Sequence, residues 1–229
     1  IAFSGGIDSS LLAKICQDLG KQVILMTVGF PGSHDIRFSA DIAPRMGMEH
    51  RTLEIDSKDF KENLMQVRKT IKCNNTSHIE NCIAYHYICM LARQNGLNIV
   101  LSANGCDELF CGYDGYRRVY SAGDKAIMKL MEEKIANEFT LMNEIANVVN
   151  PFGVTVRQPF LNSKFVEFTP ETHQRHAESI FVRRSNLSHV FANFLPGGYW
   201  GQPLHSSVSR GSIGQKEQRK GALIMIVKS

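Results

Sequence analysis

An α/β fold built on a doubly wound parallel sheet, with an appended helical part, is predicted by three observations. Strand-like runs recur at Val23 to Val28, His50 to Ile55 and Asn98 to Ser102. Stretches with apolar residues three and four apart separate them, as expected of amphipathic helices. Clusters of Ser, Gly, Asp and Asn follow two of the strands, where open α/β sheets carry their ligands. Alternating strands and helices imply parallel pairing through right-handed crossovers.

Taken in order, Ile1-Ala2-Phe3 reads as the tail of a strand. It is shorter than the usual ~5–6 residues, and with no initiator Met the natural polypeptide is expected to continue upstream. Leu11, Leu12, Ile15, Cys16 and Leu19 then mark one face of a helix stopped by Gly20. Val23 to Val28 is continuously apolar apart from Thr27, as in a strand buried on both faces. A helix after Asp35 is expected to bend or end near Pro44, because proline removes a donor and clashes with the preceding turn. Asp56 or Ser57 would cap the next helix, whose apolar face carries Phe60, Leu64, Val67 and Ile71. Ile79 to Leu91 forms another helix, with Gly96 beyond its end. From about Gly123 to Val149 the pattern is purely helical, with Ile127, Leu130, Met131, Ile135 and Met142 on one side. The domain is read as residues 1–195, with residues 196–229 an irregular tail. There Pro196, Gly197, Gly198, Gly201, Pro203, Gly211, Gly214 and Gly221 interrupt every period.

Composition excludes several classes. The 229 residues are 43 % hydrophobic and 21 % charged, ordinary for a globular domain. A net charge of +4 gives no footprint for nucleic acid and is compatible with an anionic nucleotide. No apolar run approaches the ~20 residues of a membrane span, and no signal peptide is visible. Cys16, Cys73, Cys82, Cys89, Cys106 and Cys111 include no C-x-x-C pair, which argues against a zinc ribbon or a thioredoxin-like centre. Scattered thiols fit a reducing compartment, so a cytoplasmic location is expected. In that setting the N-x-S/T matches at Asn74, Asn75 and Asn186 are read as chance.

Two loops carry the chemistry. Ser4-Gly5-Gly6-Ile7-Asp8-Ser9-Ser10 joins the first strand to the first helix. Glycines let backbone approach phosphate oxygens, and free N–H groups at a helix start point at the anion. Ser4, Ser9 and Ser10 add hydroxyl donors. Asp8 would repel phosphate unless a cation lay between, so it is read as a Mg²⁺ ligand. The plain alternative is a Ser/Gly turn ahead of a capped helix. No G-x-x-x-x-G-K-S/T occurs, so the loop is not one that cradles a γ-phosphate for hydrolysis. Ser102-Ala103-Asn104-Gly105-Cys106-Asp107-Glu108 follows a later strand, and Asp107 supplies a second candidate ligand opposite Asp8.

Ser-Gly-Gly-x-Asp-Ser resembles the signature of the pyrophosphatase-loop enzymes, which cleave ATP between the α- and β-phosphates and have an adenine nucleotide α-hydrolase-like fold. Together with Asp107-Glu108-Leu109-Phe110-Cys111-Gly112-Tyr113, it is similar to the synthetase domain of the asparagine synthetase family. Thr27-Val28-Gly29-Phe30 with Ser33 and Asp35, and Arg157-Gln158-Pro159-Phe160-Leu161-Asn162, resemble two further segments of that family. The resemblance extends from Ile1 to about Pro196. It implies a ligase that adenylates a carboxylate, aspartate's by resemblance, releases pyrophosphate and forms an amide with ammonia or glutamine-derived ammonia. ATP and Mg²⁺ are the implied cofactors. Ser4, Gly5, Gly6, Asp8 and Ser9 would hold the pyrophosphate and metal. Phe3 and Val28 would flank the adenosine, and Ser102, Ala103 and Gly105 would line the nucleotide from the other side. Asp8 and Asp107 are the candidate catalytic and metal-ligating residues. Glu108 is read as structural. The implied partners are small molecules and an upstream glutaminase domain or separate amidotransferase, with no nucleic acid or membrane.

The chain also departs from the family. Asn104 stands where a glutamate implicated in forming the aspartyl-adenylate is usual, and an amide neither acts as a base nor binds Mg²⁺ strongly. Ala103 replaces a glycine and Asn162 an aspartate. The basic segment expected after Gly197 has no clean counterpart. These departures leave two other readings open: a related amide- or β-lactam-forming synthetase, and a nucleotide-binding module without turnover. Elsewhere, His173 and His176 read as surface histidines and Arg183-Arg184 as a solvated helix face. Tyr113, Tyr116, Arg117 and Arg118 are candidates for substrate contact or for packing.

Overall fold

The computed structural model describes residues 1–71 and 73–167. The expected tail, His173, His176 and Arg183-Arg184 lie outside the described residues. The elements in chain order are α1 (Ile7–Asp18), β1 (Ile24–Gly29), α2 (His34–Met46), β2 (Glu49–Glu54), α3 (Ser57–Thr70), α4 (Thr76–Gln94), β3 (Ile99–Leu101), α5 (Cys106–Leu109), α6 (Asp114–Val119), α7 (Asp124–Val149) and β4 (Thr155–Arg157).

Two parallel pairs, β1 with β2 and β3 with β4, are joined by residues 1–3. Phe3 N–H donates to the Met26 carbonyl at 2.8 Å, and Met26 N–H donates to the Ile1 carbonyl at 2.8 Å. On the other edge, Ala2 N–H donates to the Leu101 carbonyl at 2.9 Å. The sheet order is therefore β2, β1, residues 1–3, β3, β4. The chain steps outward from residues 1–3 to β1 and β2, then crosses to the other side for β3. The direction reverses between residues 1–3 and β3, which places a crevice beyond their carboxyl ends.

Side chains alternate across this sheet with the period of two that strands impose. Leu25 packs with α1 and α2 through Leu12, Ala13, Ile42 and Ala43. Its neighbour Met26 packs on the opposite face with α3, α4 and α7 through Phe60, Val67, Ile83 and Ile145. Ile1 and Phe3 join the first cluster, whereas Ala2 packs against the second. Helices thus cover both faces, the doubly wound arrangement expected from the sequence.

Helix ends follow local chemistry. Asp56 caps α3, its carboxylate accepting the Lys58 N–H at 2.7 Å, and Asn75 caps α4 by accepting from Ser77 N–H at 3.0 Å. Each cap satisfies a donor that the first helical turn leaves open. α2 runs two residues past Pro44, which lies in its final turn, and stops at Gly47 in the left-handed region. β2 is an edge strand with half of its residues or more exposed, rather than a buried one. β4 was not anticipated: it is only three residues long and outermost, and the alternation of Val154, Thr155, Val156 and Arg157 is too short to mark a strand. On α7 the expected face holds, with Ile127 and Met131 buried, and continues through Leu141, Ile145, Val148 and Val149. No helix among the described residues is long and apolar enough to cross a membrane.

The core on the α4 side is expected to dominate stability. Ile83→Ala removes a fully buried side chain between α4, the sheet and α7 and should cost about 2–5 kcal/mol. Leu19→Ala, at an exposed position, should change stability by less than about 0.5 kcal/mol. Urea unfolding midpoints of the two variants provide the check.

Candidate functional site

The crevice predicted by the strand order is a cleft of about 400 Å³. Phe3, Ser4, Asp8 and Ser9 line it from the first loop, and Ser102, Ala103, Asn104, Gly105 and Asp107 from the second. Val28 and Asp35 border it beyond β1. The two loops selected from sequence therefore face one space, although residue 4 and residue 107 are far apart in the chain.

The first loop is organised by its own serines. Gly6 N–H donates to Ser4 Oγ at 3.2 Å, Ser9 Oγ donates to the Gly6 carbonyl at 3.2 Å, and Ser4 Oγ and Ser9 Oγ lie 3.3 Å apart. Ser10 Oγ donates to the Gly5 carbonyl at 3.4 Å. Gly5 and Gly6 do not line the cleft; they shape the loop. Gly5 has φ of +77°, and a Cβ there would lie 3.1–3.3 Å from Phe38 and Ser39 of α2. Glycine is thus required both for the left-handed backbone and for close approach to α2. Gly105 is more constrained: at φ of +96°, its Cβ would lie 2.6 Å from Leu161 Cγ. The segment after β4 is what presses on it, so Pro159-Phe160-Leu161 supports the second loop from behind.

Phe3 borders the cleft but is only 2 % exposed, with its ring edge-on to His50 at 5.9 Å. Thr27 Oγ1 donates to the Phe3 carbonyl at 2.6 Å and lies 2.8 Å from His50 Nε2. A hydroxyl has one proton, so Thr27 accepts from His50 and the imidazole carries its proton on Nε2. Burial lowers the His50 pKa, which favours this neutral form.

Asn104 holds three partners. Its Oδ1 accepts from Tyr85 Oη at 2.7 Å and from Ser102 Oγ at 2.6 Å, and its Nδ2 donates to Glu138 Oε2 at 3.2 Å. Tyr85 Oη and Ser102 Oγ also touch each other, and with one proton apiece the two hydroxyls satisfy two of these three contacts at a time. A carboxylate at position 104 would be set against Glu138; an amide joins it. Glu138, from α7, and Tyr85, from α4, are site residues that sequence reasoning did not select. Ser77 and Asn81 of α4 join them on the cleft wall.

The electrostatics are one-sided. Asp8, Asp35, Asp107, Glu108 and Glu138 all line the cleft, and no Lys or Arg among the described residues does. Burial raises the Glu138 pKa, against a lowering by the Asn104 hydrogen bond. Glu108 is 2 % exposed and pushed up to about 7, by burial first and then by the Glu138 charge. Tyr113 Oη donates to the Glu108 carboxylate, and Tyr116 Oη donates to its backbone carbonyl at 2.7 Å. Tyr113 borders the cleft, whereas Tyr116 is fully buried, which settles packing for the latter. Arg117 pairs at 3.8 Å with Asp114 on the exposed side of α6. Cys106 Sγ donates to Asp8 Oδ1 at 3.3 Å, a direct link between the two loops. The donor set facing the cleft from Asp8 and Asp107 is all oxygen, the chemistry that hard divalent cations prefer.

Comparison with known proteins bears on the family to which these loops belong. The family model for asparagine synthase matches residues 1–150. A putative glutamine-hydrolysing asparagine synthetase of Methanocaldococcus jannaschii is 32 % identical over 171 residues, covering 73 % of this chain and 31 % of that protein. The glutamine-hydrolysing asparagine synthetase B of Escherichia coli is 24 % identical over 185 residues, covering 73 % of this chain and 32 % of its own. A solved structure titled as a predicted subunit of a tRNA methyltransferase from Methanocaldococcus jannaschii aligns at a TM-score of 0.39 and 17 % identity, covering 74 % of this chain and 72 % of that one. The chain spans about a third of the length of the curated relatives it matches. With the match covering both loops and the strands that carry them, this chain belongs to the asparagine synthase family.

Proposed function

We propose that the cleft binds ATP with Mg²⁺, adenylates a carboxylate, and transfers the acyl group to ammonia. The observation that carries this reading is the meeting of the two loops at the switch point, with Asp8 and Asp107 bordering one space. A cleft lined by five carboxyl groups and no cationic side chain among the described residues repels a bare polyphosphate. It accepts one that arrives with divalent cations. Asp8 and Asp107 would hold Mg²⁺, and one or two protein carboxylates plus phosphate and water are its usual complement. Held there, Mg²⁺ would supply charge neutralisation for the phosphates.

The chain's own residues bind, orient and move a proton. Ser4 and Ser9 supply donors for the pyrophosphate end, on a loop that Gly5 and Gly6 shape. Phe3 and Val28 flank the adenosine, and Ser102, Ala103 and Gly105 border it from the second loop. A carboxylate oxygen of the substrate, aspartate by family membership, attacks the α-phosphorus, and the bond from that phosphorus to the β-phosphate oxygen breaks. Ammonia then attacks the acyl carbon, the carbon–oxygen bond to AMP breaks, and the surplus proton needs an acceptor. Glu138 is that acceptor: its carboxyl borders the cleft, is oriented by Asn104 and Tyr85's network, and is held above the ordinary carboxylate range by burial. The relatives are named as glutamine-hydrolysing. Glutamine-derived ammonia, delivered by an amidotransferase domain or partner in the cytoplasm, is the corresponding supply for this chain.

Two measurements check the assignment. Pyrophosphate release from ATP and Mg²⁺ in ammonium buffer should require aspartate and yield asparagine and AMP together. Dependence on another amino acid instead would keep the chemistry and change the substrate, and release with no amine consumed would point to a different nucleophile. Asp8→Ala should weaken binding of ATP with Mg²⁺ by roughly ten- to a hundredfold; unchanged affinity would remove Asp8 from the site.

Glu138→Gln separates the two chemical steps. Aspartate-dependent exchange of pyrophosphate into ATP should stay within about threefold of the parent, while amide formation falls by roughly 10²–10⁴-fold. At fixed free ammonia, the parent's amide formation should lose rate as acid protonates Glu138. Burial raises this group's pKa, so that loss begins above the ordinary carboxylate range, and it should vanish in the variant. An equal loss of both steps would mark Glu138 as a structural residue only.

A further inference from the structure

Behind the cleft wall, a second cluster of side chains ties α4 to α7 and has no part in the proposed reaction. Cys73, just before α4, His78, in its first turn, and Glu144, on α7, bring one donor atom each within 4.8 Å of one another. His78 is 4 % exposed, and its Nδ1 lies 2.6 Å from Glu144 Oε2. The other ring nitrogen, Nε2, lies 3.1 Å from Asn137 Oδ1.

A buried ion pair between His78 and Glu144 explains part of this. It does not explain why a thiol shares the same carboxylate, nor the contact to Asn137. Donation of Nε2–H to Asn137 leaves Nδ1 as the nitrogen facing Glu144 and Cys73, and the proton bridging it to Glu144 is one that a metal ion would replace. A histidine held at its far nitrogen by an oxygen, with its near nitrogen among a thiol and a carboxylate, is the arrangement that outer-shell hydrogen bonds impose on metal ligands.

We propose that Cys73 Sγ, His78 Nδ1 and a Glu144 carboxylate oxygen bind one zinc ion, with water in the fourth position. The mixed sulfur, nitrogen and oxygen set suits Zn²⁺ and is foreign to Mg²⁺. Zinc–ligand distances of about 2.0–2.3 Å require the His78 to Glu144 separation to open to about 3.3 Å. The ion enters as the hydrogen-bonding protons leave, the Cys73 thiol proton among them. It would clamp the segment before α4 onto α7. Ser77, Asn81 and Tyr85 of α4 and Glu138 of α7 line the cleft, so the clamp fixes the spacing of the cleft's wall.

The test uses the full chain, stripped with chelator and titrated with Zn²⁺ against a chromophoric chelator in excess Mg²⁺, without ATP. One equivalent should bind, and Co²⁺ in its place should show a thiolate-to-metal charge-transfer band. Cys73→Ala, at a half-buried position outside the helices, should abolish that band and weaken zinc binding at least about tenfold. His78→Gln should do the same, and Cys16→Ala should leave both intact. Circular dichroism shows whether each variant is folded; should His78→Gln unfold, the Cys73 variant decides alone. Zinc binding to the parent no tighter than to folded Cys73→Ala, or a cobalt spectrum without thiolate character, would overturn the site.

Discussion

The insertion of residues 1–3 between β1 and β3 is the constraint on which the rest of the structure depends. One short segment hydrogen-bonds to Met26 on one edge and to Leu101 on the other. Without it, β1 with β2 and β3 with β4 are separate pairs. With it, the Ser4 loop and the Ser102 loop leave the sheet side by side and cannot do otherwise, because adjacent parallel strands lie about 4.8 Å apart. The cleft is a consequence of strand order before any side chain is considered. The contacts of Cys106 with Asp8 and of Thr27 with Phe3 and His50 then stiffen what the backbone has already juxtaposed.

That juxtaposition concentrates negative charge. Asp8 and Asp107 stand in the first turns of α1 and α5, just after the two loops; Glu108 follows Asp107 in α5, and Glu138 arrives from α7. Burial and mutual repulsion raise the pKa of the last two, so the cleft resists holding all its carboxyl groups ionised at once. Two features relieve this within the protein: the Tyr113 hydroxyl on Glu108 and the Asn104 amide on Glu138. The substitution at position 104 is therefore coherent with its surroundings. An amide there supplies a donor to Glu138 where a carboxylate would add another charge.

Most of the framework was legible in the sequence, because it rests on short-range patterns. The Leu11 to Leu19 periodicity, the Val23 to Val28 run and the Gly-rich loop after a strand each report on local structure, and each element formed where it was expected within a few residues. β4 was not legible: the alternation from Val154 to Arg157 is too short to mark a strand, and its pairing with β3 is a long-range contact. Glu138 was missed for a related reason. Reading α7 by its apolar stripe makes a lone glutamate one more polar position, and only the packing of α7 on α4 turns it inward. Tyr85 lies within the Ile79 to Leu91 helix, where an aromatic residue reads as one more packing position, and His78 lies just ahead of that stretch. Gly5 and Gly6 were read for approach to phosphate; the packing of Gly5 against α2 is a second demand on that glycine that local sequence does not announce.

The cleft wall formed by α4 and α7 raises a question of packing specificity. Apolar contacts such as Ile83 with Ile145 hold helices together without fixing their relative slide, since hydrophobic attraction is non-directional. Directional contacts between the two are needed to set register. His78 provides them: its ring reaches Glu144 with one nitrogen and Asn137 with the other, spanning two turns of α7. Glu138 follows Asn137 directly, so the contact that holds Asn137 also holds the turn of α7 that carries Glu138. The residue proposed to accept the proton is thus positioned from both sides, by Asn104 across the cleft and by the His78 network behind it. A shift of α4 along α7 by even a fraction of a turn would break the His78 contacts and carry Tyr85 away from Asn104. The polar cluster behind the wall and the hydrogen bonds within the cleft therefore select the same register of the two helices, and each is satisfied only when the other is.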